Sequence, residues 1–366
     1  MTTSASLKID FPVTPTDFTP EFLTDVLRAD GVLDTATSIT GVGTERVGEG
    51  VGLASNLYRL RLESDGAAPA TVIVKLPTTS PYRALAEALG VYQCEVAFYR
   101  DVAGRAPVRT PRCYLAAQAH DTIDFILILE DLGHMEACDH IAGLSPERTD
   151  RILTEAARLH AWALTDGRTL SDNEAFLSVT DPALQGFFTA PFAACWDTYQ
   201  ANARQPIPEL ARSFARNYVE LVPSLFGELR EPNALAFGDF RVDNLFFDQD
   251  GEPAIVDFQF AMRGTGIYDV AYLVSQGLTT QNRTGQDRRF VRHYLDALSD
   301  AGYSDYEFDH AWRHFQIASA ILLGFPILAM SFWDDLPERA KDLCLTLVER
   351  SLATLQETGA FEVVMP

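Results

Sequence analysis

The chain has 366 residues, and its 29 Lys and Arg against 51 Asp and Glu give a formal net charge of −22. Nucleic-acid-binding surfaces cluster Lys and Arg, whereas the most basic stretches here, residues 59–61 and 288–292, are short, so we expect no nucleic-acid partner. With 47% hydrophobic and 22% charged residues, the composition excludes a largely disordered chain and predicts a globular protein of two domains or lobes.

The first predicted elements are a helix and a β-hairpin. Residues 19–31 begin with Thr-Pro, continue with apolar side chains at helical spacing and end at a glycine, which predicts a capped helix. Residues 57–63 alternate between apolar and charged side chains, the pattern of a half-buried strand. Residues 71–76 are β-branched and follow the turn sequence at 64–66, so the two runs predict a hairpin.

The next elements complete a region that is rich in strands. Residues 81–104 have apolar side chains at helical spacing, Leu85 among them, and predict a single helix that ends at a glycine. Two further strands are predicted at residues 112–117 and 124–130. We therefore expect an N-terminal lobe that contains a sheet, residues 1–131, and a larger, mainly helical C-terminal lobe, residues 132–366.

Helical periodicity dominates the chain beyond residue 131. The clearest predicted helices are residues 146–164, 210–225, 290–298, 306–323 and 337–355. The exception is one pair of short strands, residues 244–247 and 253–258, which are joined by an Asp-Gln-Asp-Gly turn. The fold class predicted from these patterns is α+β.

One apolar stretch, residues 317–333, is about as long as a short membrane span. Gly324 and Pro326 interrupt it, and two aspartates follow it at once, so a buried core helix is the favoured interpretation. A membrane-tethered protein stays open as the alternative. The N-terminus lacks a basic region followed by an apolar run, and the five cysteines are widely spaced without a CxxC pair. These features predict a cytoplasmic protein that binds no membrane and has neither disulfides nor a zinc site.

The most informative segment is residues 237–260, FGDFRVDNLFFDQDGEPAIVDFQF. Asn244 begins one predicted strand and Asp257 ends the next, so a hairpin places both side chains at the same end. Carboxylate and amide oxygens are ligands that suit Mg²⁺. Asp239 lies in the loop before the hairpin and can accept a proton. The alternative is that these Asp and Asn residues serve turns only, as residues 248–251 do.

Upstream of that segment lie a lysine, a glutamate and a glycine loop. Lys75 sits inside a predicted strand, where burying an unpaired ammonium is costly, and Glu95 on the next helix is its best candidate partner. The loop with Gly48, Gly50 and Gly52 precedes the hairpin, and such a loop lets backbone N–H groups approach phosphate oxygens. It is neither a Walker loop nor a dinucleotide fingerprint, because no Gly-Lys-Ser/Thr follows it and a strand, not a helix, comes next.

This ordered set resembles the kinase-like phosphotransferases of the aminoglycoside phosphotransferase and choline kinase superfamily. The glycine loop, Lys75, Glu95, ILILEDL, GDFRVDN and VDFQ carry the resemblance, which covers roughly residues 48–272. VDFQF, with Gln259, and YDVAYLV at residues 268–274 are most similar to the ecdysteroid kinase-like branch. The resemblance implies a protein-kinase-like bilobal fold and an enzyme that transfers the γ-phosphoryl group of ATP to an alcohol group of a small-molecule substrate.

The resemblance also implies roles for individual residues. In the C-terminal lobe these are Asp239 as catalytic base, Asn244 and Asp257 as Mg²⁺ ligands, and a structural role for Asp269. LHAWAL, with His160, resembles a conserved helix segment of the family. In the N-terminal lobe they are Lys75 as the phosphate contact, Glu95 as its tether, the three glycines at the phosphates, and the backbone from Glu130 to Leu132 at the adenine. The implied cofactors are ATP and Mg²⁺, in a monomer or homodimer.

Two features leave alternatives open. The family usually has His where Phe237 stands, so Phe237 is expected to replace a hydrogen bond by apolar packing, and a catalytically impaired nucleotide-binding regulator is the alternative function. The segments between residues 171 and 208 are rich in aromatic side chains, which are expected either to line the acceptor site or to belong to the core. If they line the site, the acceptor is a flat or apolar alcohol, whereas the acidic surface favours a polyamine.

Overall fold

The computed structural model describes residues 12–47, 55–79, 82–119, 122–166 and 173–365. The chain divides into two compact units. The N-terminal unit comprises Met1–Arg105 and Thr110–His134, and the C-terminal unit comprises Ala106–Arg109 and Met135–Pro366. The first contains a sheet and the second is mainly helical, so the predicted α+β fold class is confirmed.

The N-terminal unit is built on an antiparallel sheet with the strand order β1-β2-β3-β5-β4 among the described residues. Its strands are β1 (Ile39–Val47), β2 (Ser55–Ser64), β3 (Thr71–Pro77), β4 (Cys113–Gln118) and β5 (Phe125–Glu130). The predicted hairpin of β2 and β3 is present, with Leu57 opposite Lys75. The sequence did not predict β1, an edge strand whose two glycines and mostly exposed side chains weaken the alternating pattern.

Helix α1 (Pro20–Ala29) covers the core of this sheet. The Thr19 hydroxyl accepts a hydrogen bond from the Phe22 N–H (3.2 Å), which caps the helix as the Thr-Pro pair predicts. Leu23 and Leu27 are fully buried and pack into one cluster with side chains of β2, β3 and β5. Burial of this kind stabilises a domain by about 25 cal/mol for each Å² of apolar surface removed from water.

The prediction of a single helix over residues 81–104 is wrong, because the helix is interrupted. The structure forms α2 (Tyr82–Ala88) and α3 (Val91–Ala97), and a π-helical turn, Phe98–Val102, extends α3. Gly90 separates the two helices in a left-handed conformation, with φ 61°. The spacing of apolar residues does not reveal such a break when the second helix continues the same apolar face. Leu85, which the sequence placed on that face, is 42% exposed.

All five helices that the sequence predicted in the C-terminal unit are present within a few residues of their predicted ends. The helices of this unit are α4 (Pro146–Thr165), α5 (Pro182–Thr189), α6 (Phe192–Asn202), α7 (Glu209–Glu228), α8 (Ile267–Gly277), α9 (Thr280–Arg283), α10 (Asp287–Asp300), α11 (Phe308–Leu322), α12 (Gly324–Leu328), α13 (Glu338–Glu357) and α14 (Ala360–Val364).

The predicted strand pair is present, with Pro253–Ile255 antiparallel to Leu245–Phe247, but the described residues of this unit contain two small sheets and not this pair alone. One has the order β10-β9-β6 and the other β7-β11-β8. Their strands are β6 (Glu136–Ala137), β7 (Leu177–Ser178), β8 (Ala234–Ala236), β9 (Leu245–Phe247), β10 (Pro253–Ile255) and β11 (Met262–Gly264). Strands of two or three residues are too short to show an alternating pattern.

The long apolar stretch forms α11, α12 and a 3₁₀-helical turn, Ala329–Asp335. Among the described residues, Phe308–Asp335 is the one helical stretch long and apolar enough to cross a membrane, and 78% of its most apolar window is buried inside the protein. Helix α11 packs against α8, α13 and α14. This burial is what the core-helix interpretation predicts.

Candidate active site

The loop from β8 to β9 carries two of the predicted site residues, Asp239 and Asn244, and the third, Asp257, follows β10. Asn244 ends a 3₁₀ turn, Val242–Asn244, directly before β9. The side-chain Nδ2 of Asn244 donates to the backbone carbonyl of Asp239 (3.0 Å). The backbone carbonyl of Asn244 accepts from the Val256 N–H (3.0 Å). Leu245 pairs with Ile255, so Asn244 and Asp257 lie at the same end of the hairpin, as the sequence predicted.

Asp239 is buried among groups that hold its carboxylate in place. The Tyr272 hydroxyl donates to Oδ1 (3.2 Å), and the Nε of Arg241 lies 3.4 Å from Oδ2. Burial raises the pKa of Asp239, the Arg241 guanidinium opposes that rise, and the nearby Asp257 carboxylate adds to it. A raised carboxyl pKa strengthens the conjugate base, which suits a group that accepts a proton. Neither Arg241 nor Tyr272 was identified as a site residue from the sequence.

The donors at this end of the hairpin fit Mg²⁺. The Asn244 side chain supplies an amide oxygen and Asp257 a carboxylate, and Mg²⁺ is commonly held by one or two such protein ligands together with water and phosphate oxygens. In the part of the chain that the structure describes, no cluster of three or more His, Cys, Asp or Glu side chains could hold a metal by itself. A site with two protein ligands leaves the remaining coordination positions to water and phosphate oxygens.

Asp269 anchors the loop that carries Asp239. Its carboxylate accepts from the backbone N–H groups of Phe237 (2.7 Å) and Gly238 (3.0 Å), and the Nε2 of His160 lies 3.0 Å from it. Because a carboxylate can only accept, Nε2 carries the proton of this bond, and Nδ1 faces the Tyr294 hydroxyl at 3.0 Å. The structural role implied for Asp269 thus corresponds to direct support of the loop, and His160 supports the loop indirectly through its bond to the Asp269 carboxylate.

Phe237 packs as the sequence analysis expected. Its ring is buried, stacks on Phe240 with 4.6 Å between centroids, and lies 5.5 Å from Phe258 and 6.0 Å from His160. The backbone N–H of Phe237, not its side chain, makes the polar contact with Asp269. The loop is therefore anchored although no histidine stands at this position.

Lys75 and Glu95 form a buried ion pair in the N-terminal unit. The Nζ of Lys75 on β3 lies 2.8 Å from Oε1 and 2.7 Å from Oε2 of Glu95 on α3, and both side chains are almost fully buried. Glu130 ends β5, and its carboxylate accepts from the Arg112 N–H, while Leu132 is buried. The glycine loop with Gly48, Gly50 and Gly52 lies outside the described residues.

We expect Lys75→Met to destabilise the protein by about 3–5 kcal/mol, because it leaves the Glu95 carboxylate buried without its cation. The double variant Lys75→Met/Glu95→Leu should regain most of that stability, since it removes both charges. Chemical denaturation would measure both free energies of unfolding. Equal stability of the single and double variants would show that burial of the unpaired carboxylate is not the cost.

The aromatic side chains between residues 171 and 208 divide into two groups. Five are buried and confirm the core interpretation: Phe176, Phe188, Phe192, Trp196 and Tyr199. The sixth, Phe187 on α5, is only half-buried, and its ring lies 6.0 Å from those of both Phe260 and Phe325. Neither Phe260 nor Phe325 was identified from the sequence, because each lies far along the chain from the aromatic-rich segment.

The N-terminal unit contains a sheet and a buried Lys–Glu pair, and the helical unit contains Asp239, Asn244 and Asp257. Together these features define a kinase-like phosphotransferase. Residues 50–309 match the model of the phosphotransferase enzyme family known as APH. The chain belongs to this family, and small-molecule phosphotransfer is the activity that membership supports. No curated protein shows significant sequence similarity to the chain.

Solved structures share the fold at low sequence identity. Choline kinase from Cryptosporidium parvum is 11% identical, with a TM-score of 0.55 over 93% of this chain and 97% of that one. Ethanolamine kinase from Plasmodium vivax is 12% identical, with a TM-score of 0.51 over 85% and 82%. Aminoglycoside 2'-phosphotransferase-IIIa, in its GDP complex, is 15% identical, with a TM-score of 0.52 over 91% and 98%. These likenesses confirm the kinase-like fold.

Proposed function

We propose that the protein is an ATP-dependent small-molecule kinase that phosphorylates a hydroxyl group. The observation that carries the proposal is the position of Asn244 and Asp257 at one end of the β9–β10 hairpin, with the Asp239 backbone carbonyl bonded to the Asn244 amide. Nucleotide use is supported by the GDP complex of the similar aminoglycoside phosphotransferase. That the nucleotide is ATP, that Mg²⁺ accompanies it and that the protein is cytoplasmic are parts of this proposal.

The residues of this chain have distinct tasks in the proposed reaction. ATP supplies the γ-phosphoryl group and leaves as ADP when the acceptor oxygen forms its bond to phosphorus. Asp239 takes the proton that the acceptor hydroxyl loses, while Tyr272 and Arg241 keep its carboxylate oriented. Asn244 and Asp257 are the ligands that would hold Mg²⁺, and Lys75, fixed by Glu95, would contact the phosphates.

Asp257→Asn tests the magnesium assignment. The substitution keeps the size of the side chain but removes its negative charge, so we expect Mg²⁺-dependent ATP binding to weaken by at least about tenfold, which corresponds to ~1.4 kcal/mol. Titration calorimetry with ATP at several Mg²⁺ concentrations measures the effect. Unchanged Mg²⁺ dependence in the variant would contradict the assignment of Asp257 as a ligand.

The alternative function, a catalytically impaired nucleotide-binding regulator, rested on Phe237 alone. The backbone bond from Phe237 to Asp269 provides the anchorage of the loop without a histidine, so this position gives no reason to expect inactivity. The two functions differ in one measurement. A kinase consumes ATP in the presence of its acceptor, whereas a regulator binds ATP and leaves it intact.

A further inference from the structure

Three half-buried phenylalanines form a continuous apolar surface in the C-terminal unit, which we name the phenyl wall. Phe187 comes from α5, Phe260 from the segment after β10, and Phe325 from α12. The ring centroids of Phe187 lie 6.0 Å from those of Phe260 and Phe325, and the last two lie 6.2 Å apart. The three rings are thus mutually in contact although they are distant in sequence.

Two separate sets of contacts connect the phenyl wall to Asp239 and its loop. Phe325 stacks on Tyr272 with 5.2 Å between ring centroids, and the Tyr272 hydroxyl donates to Asp239 Oδ1 at 3.2 Å. The backbone of Phe260 lies directly against Gly238, the residue before Asp239, since a Cβ at Gly238 would meet the Phe260 carbonyl oxygen at 1.9 Å. The phenyl wall is therefore connected to the Asp239 carboxylate through Tyr272 and to the Asp239 loop through the backbone of Phe260.

The exposure of the wall distinguishes it from the core around it. Phe188 contacts both Phe187 and Phe325 and is fully buried, whereas the three rings of the wall keep part of their surface accessible. Small-molecule sites are mostly apolar and aromatic, with a few polar groups that fix orientation. The phenyl wall, with the Asp239 carboxylate nearby, has the composition of such a site.

We propose that the phenyl wall is the acceptor subsite and that the acceptor is a neutral alcohol with a planar apolar body, such as an aryl or fused-ring alcohol. The inference rests on the proposed kinase function and names the substrate class of that same site. The apolar body lies on the rings and leaves its hydroxyl to Asp239. The rings offer no carboxylate or carbonyl oxygen to the several ammonium groups of a polyamine, which would give up hydrogen bonds to water there.

The charge next to Asp239 also favours a neutral acceptor. The Arg241 guanidinium, whose side chain is 24% exposed, lies 3.4 Å from the Asp239 carboxylate and offsets its charge. Asp257, whose charge also acts on Asp239, is the proposed Mg²⁺ ligand. A flat hydrocarbon needs only apolar contact with the rings.

An acceptor series tests the inference with the whole protein. ADP release would be measured with 2-phenylethanol, 2-naphthylethanol, choline, its neutral isostere 3,3-dimethylbutan-1-ol, and an aminoglycoside. We expect the two aryl alcohols to raise ATP consumption above the rate in water, and the naphthyl compound to have the lower KM. Preferential use of choline or of the aminoglycoside would overturn the inference while leaving the kinase proposal intact.

A matched pair of variants ties the specificity to the wall. Phe187→Ala should raise the KM for the aryl alcohols by about tenfold and leave the KM for ATP unchanged, because Phe187 contacts other aromatic rings and none of the residues proposed to bind ATP. Phe332→Ala is the control, since Phe332 is 37% exposed in the 3₁₀ turn after α12 and has no part in the proposed site. Equal KM values for the aryl alcohols in the two variants would overturn the inference.

Binding without turnover separates the two proposals. Saturation-transfer NMR would detect 2-naphthylethanol on the wild-type protein and on Phe187→Ala. Contact signals on the wild type that disappear in the variant support the acceptor subsite even if no phosphoryl transfer occurs, in which case the kinase proposal alone fails. Absence of binding to the wild-type protein, or equal binding to both, overturns the inference.

Discussion

Replacement of Asp239 by Asn is expected to abolish most phosphoryl transfer while nucleotide binding survives. Positioned proton acceptors contribute typically about 10²–10⁴-fold to rate, so kcat should fall by that factor. The amide oxygen of Asn still accepts the bond from Tyr272, and the backbone carbonyl at residue 239 still accepts from Asn244, so the loop keeps its anchors. Steady-state kinetics would measure the loss of kcat, and calorimetry on the same preparation would measure whether ATP binding survives.

Asp250→Asn is the matched control for this substitution. Asp250 lies in the turn of the same hairpin, where it is exposed to solvent. It loses the same charge on the same hairpin, so a general effect of net charge on activity should appear equally in both variants. The loss of kcat expected for a proton acceptor is much larger than about threefold. If the kcat of Asp239→Asn were within about threefold of the control, Asp239 would not be the proton acceptor.

The sequence predicts the geometry of the candidate site where its residues are close together in the chain. Asp239, Asn244 and Asp257 lie within nineteen consecutive residues on a turn and a hairpin, and the Asp-Gln-Asp-Gly turn between the two strands places Asn244 and Asp257 at the same end. Lys75 could be paired with Glu95 because a cation inside a strand needs a partner and the next helix offered a carboxylate. In both cases the physical requirement could be stated for a single short stretch of chain.

Contacts between distant segments could not be predicted in this way. Asp269 holds the backbone of residues more than thirty positions earlier, and the phenyl wall joins positions 187, 260 and 325. Periodicity reports which side chains are apolar but not which of them keep exposed surface after tertiary packing. Hence the sequence left the aromatic-rich segment open to two interpretations, core or acceptor site. The structure buries five of its aromatic side chains and leaves Phe187 half-buried.

Gly238 is the second position where we expect a large effect, because the loop is closed by a contact that admits no side chain. Its φ of +79° is in the left-handed region, and a Cβ would lie 1.9 Å from the carbonyl oxygen and 2.8 Å from the carbonyl carbon of Phe260. Both are backbone atoms, so they cannot be relieved by a change of rotamer. In Gly238→Ala, either the Phe237–Asp239 loop or the Phe260 segment must move.

Gly285→Ala separates this clash from backbone strain. Gly285 has nearly the same conformation, φ +77°, in the same unit, but a Cβ there meets nothing within 4 Å. Its replacement should therefore cost only the left-handed penalty, roughly 1–2 kcal/mol. Gly238→Ala should cost a further ~1–3 kcal/mol from overpacking.

The two glycine variants should also differ in activity. Displacement of the loop in Gly238→Ala weakens the bonds from Phe237 and Gly238 to Asp269, so kcat should fall with stability, whereas Gly285→Ala should remain active. Denaturant titration and steady-state kinetics on both variants make the comparison. If the two were equally stable and equally active, the close approach of Gly238 to Phe260 would not be what fixes the catalytic loop.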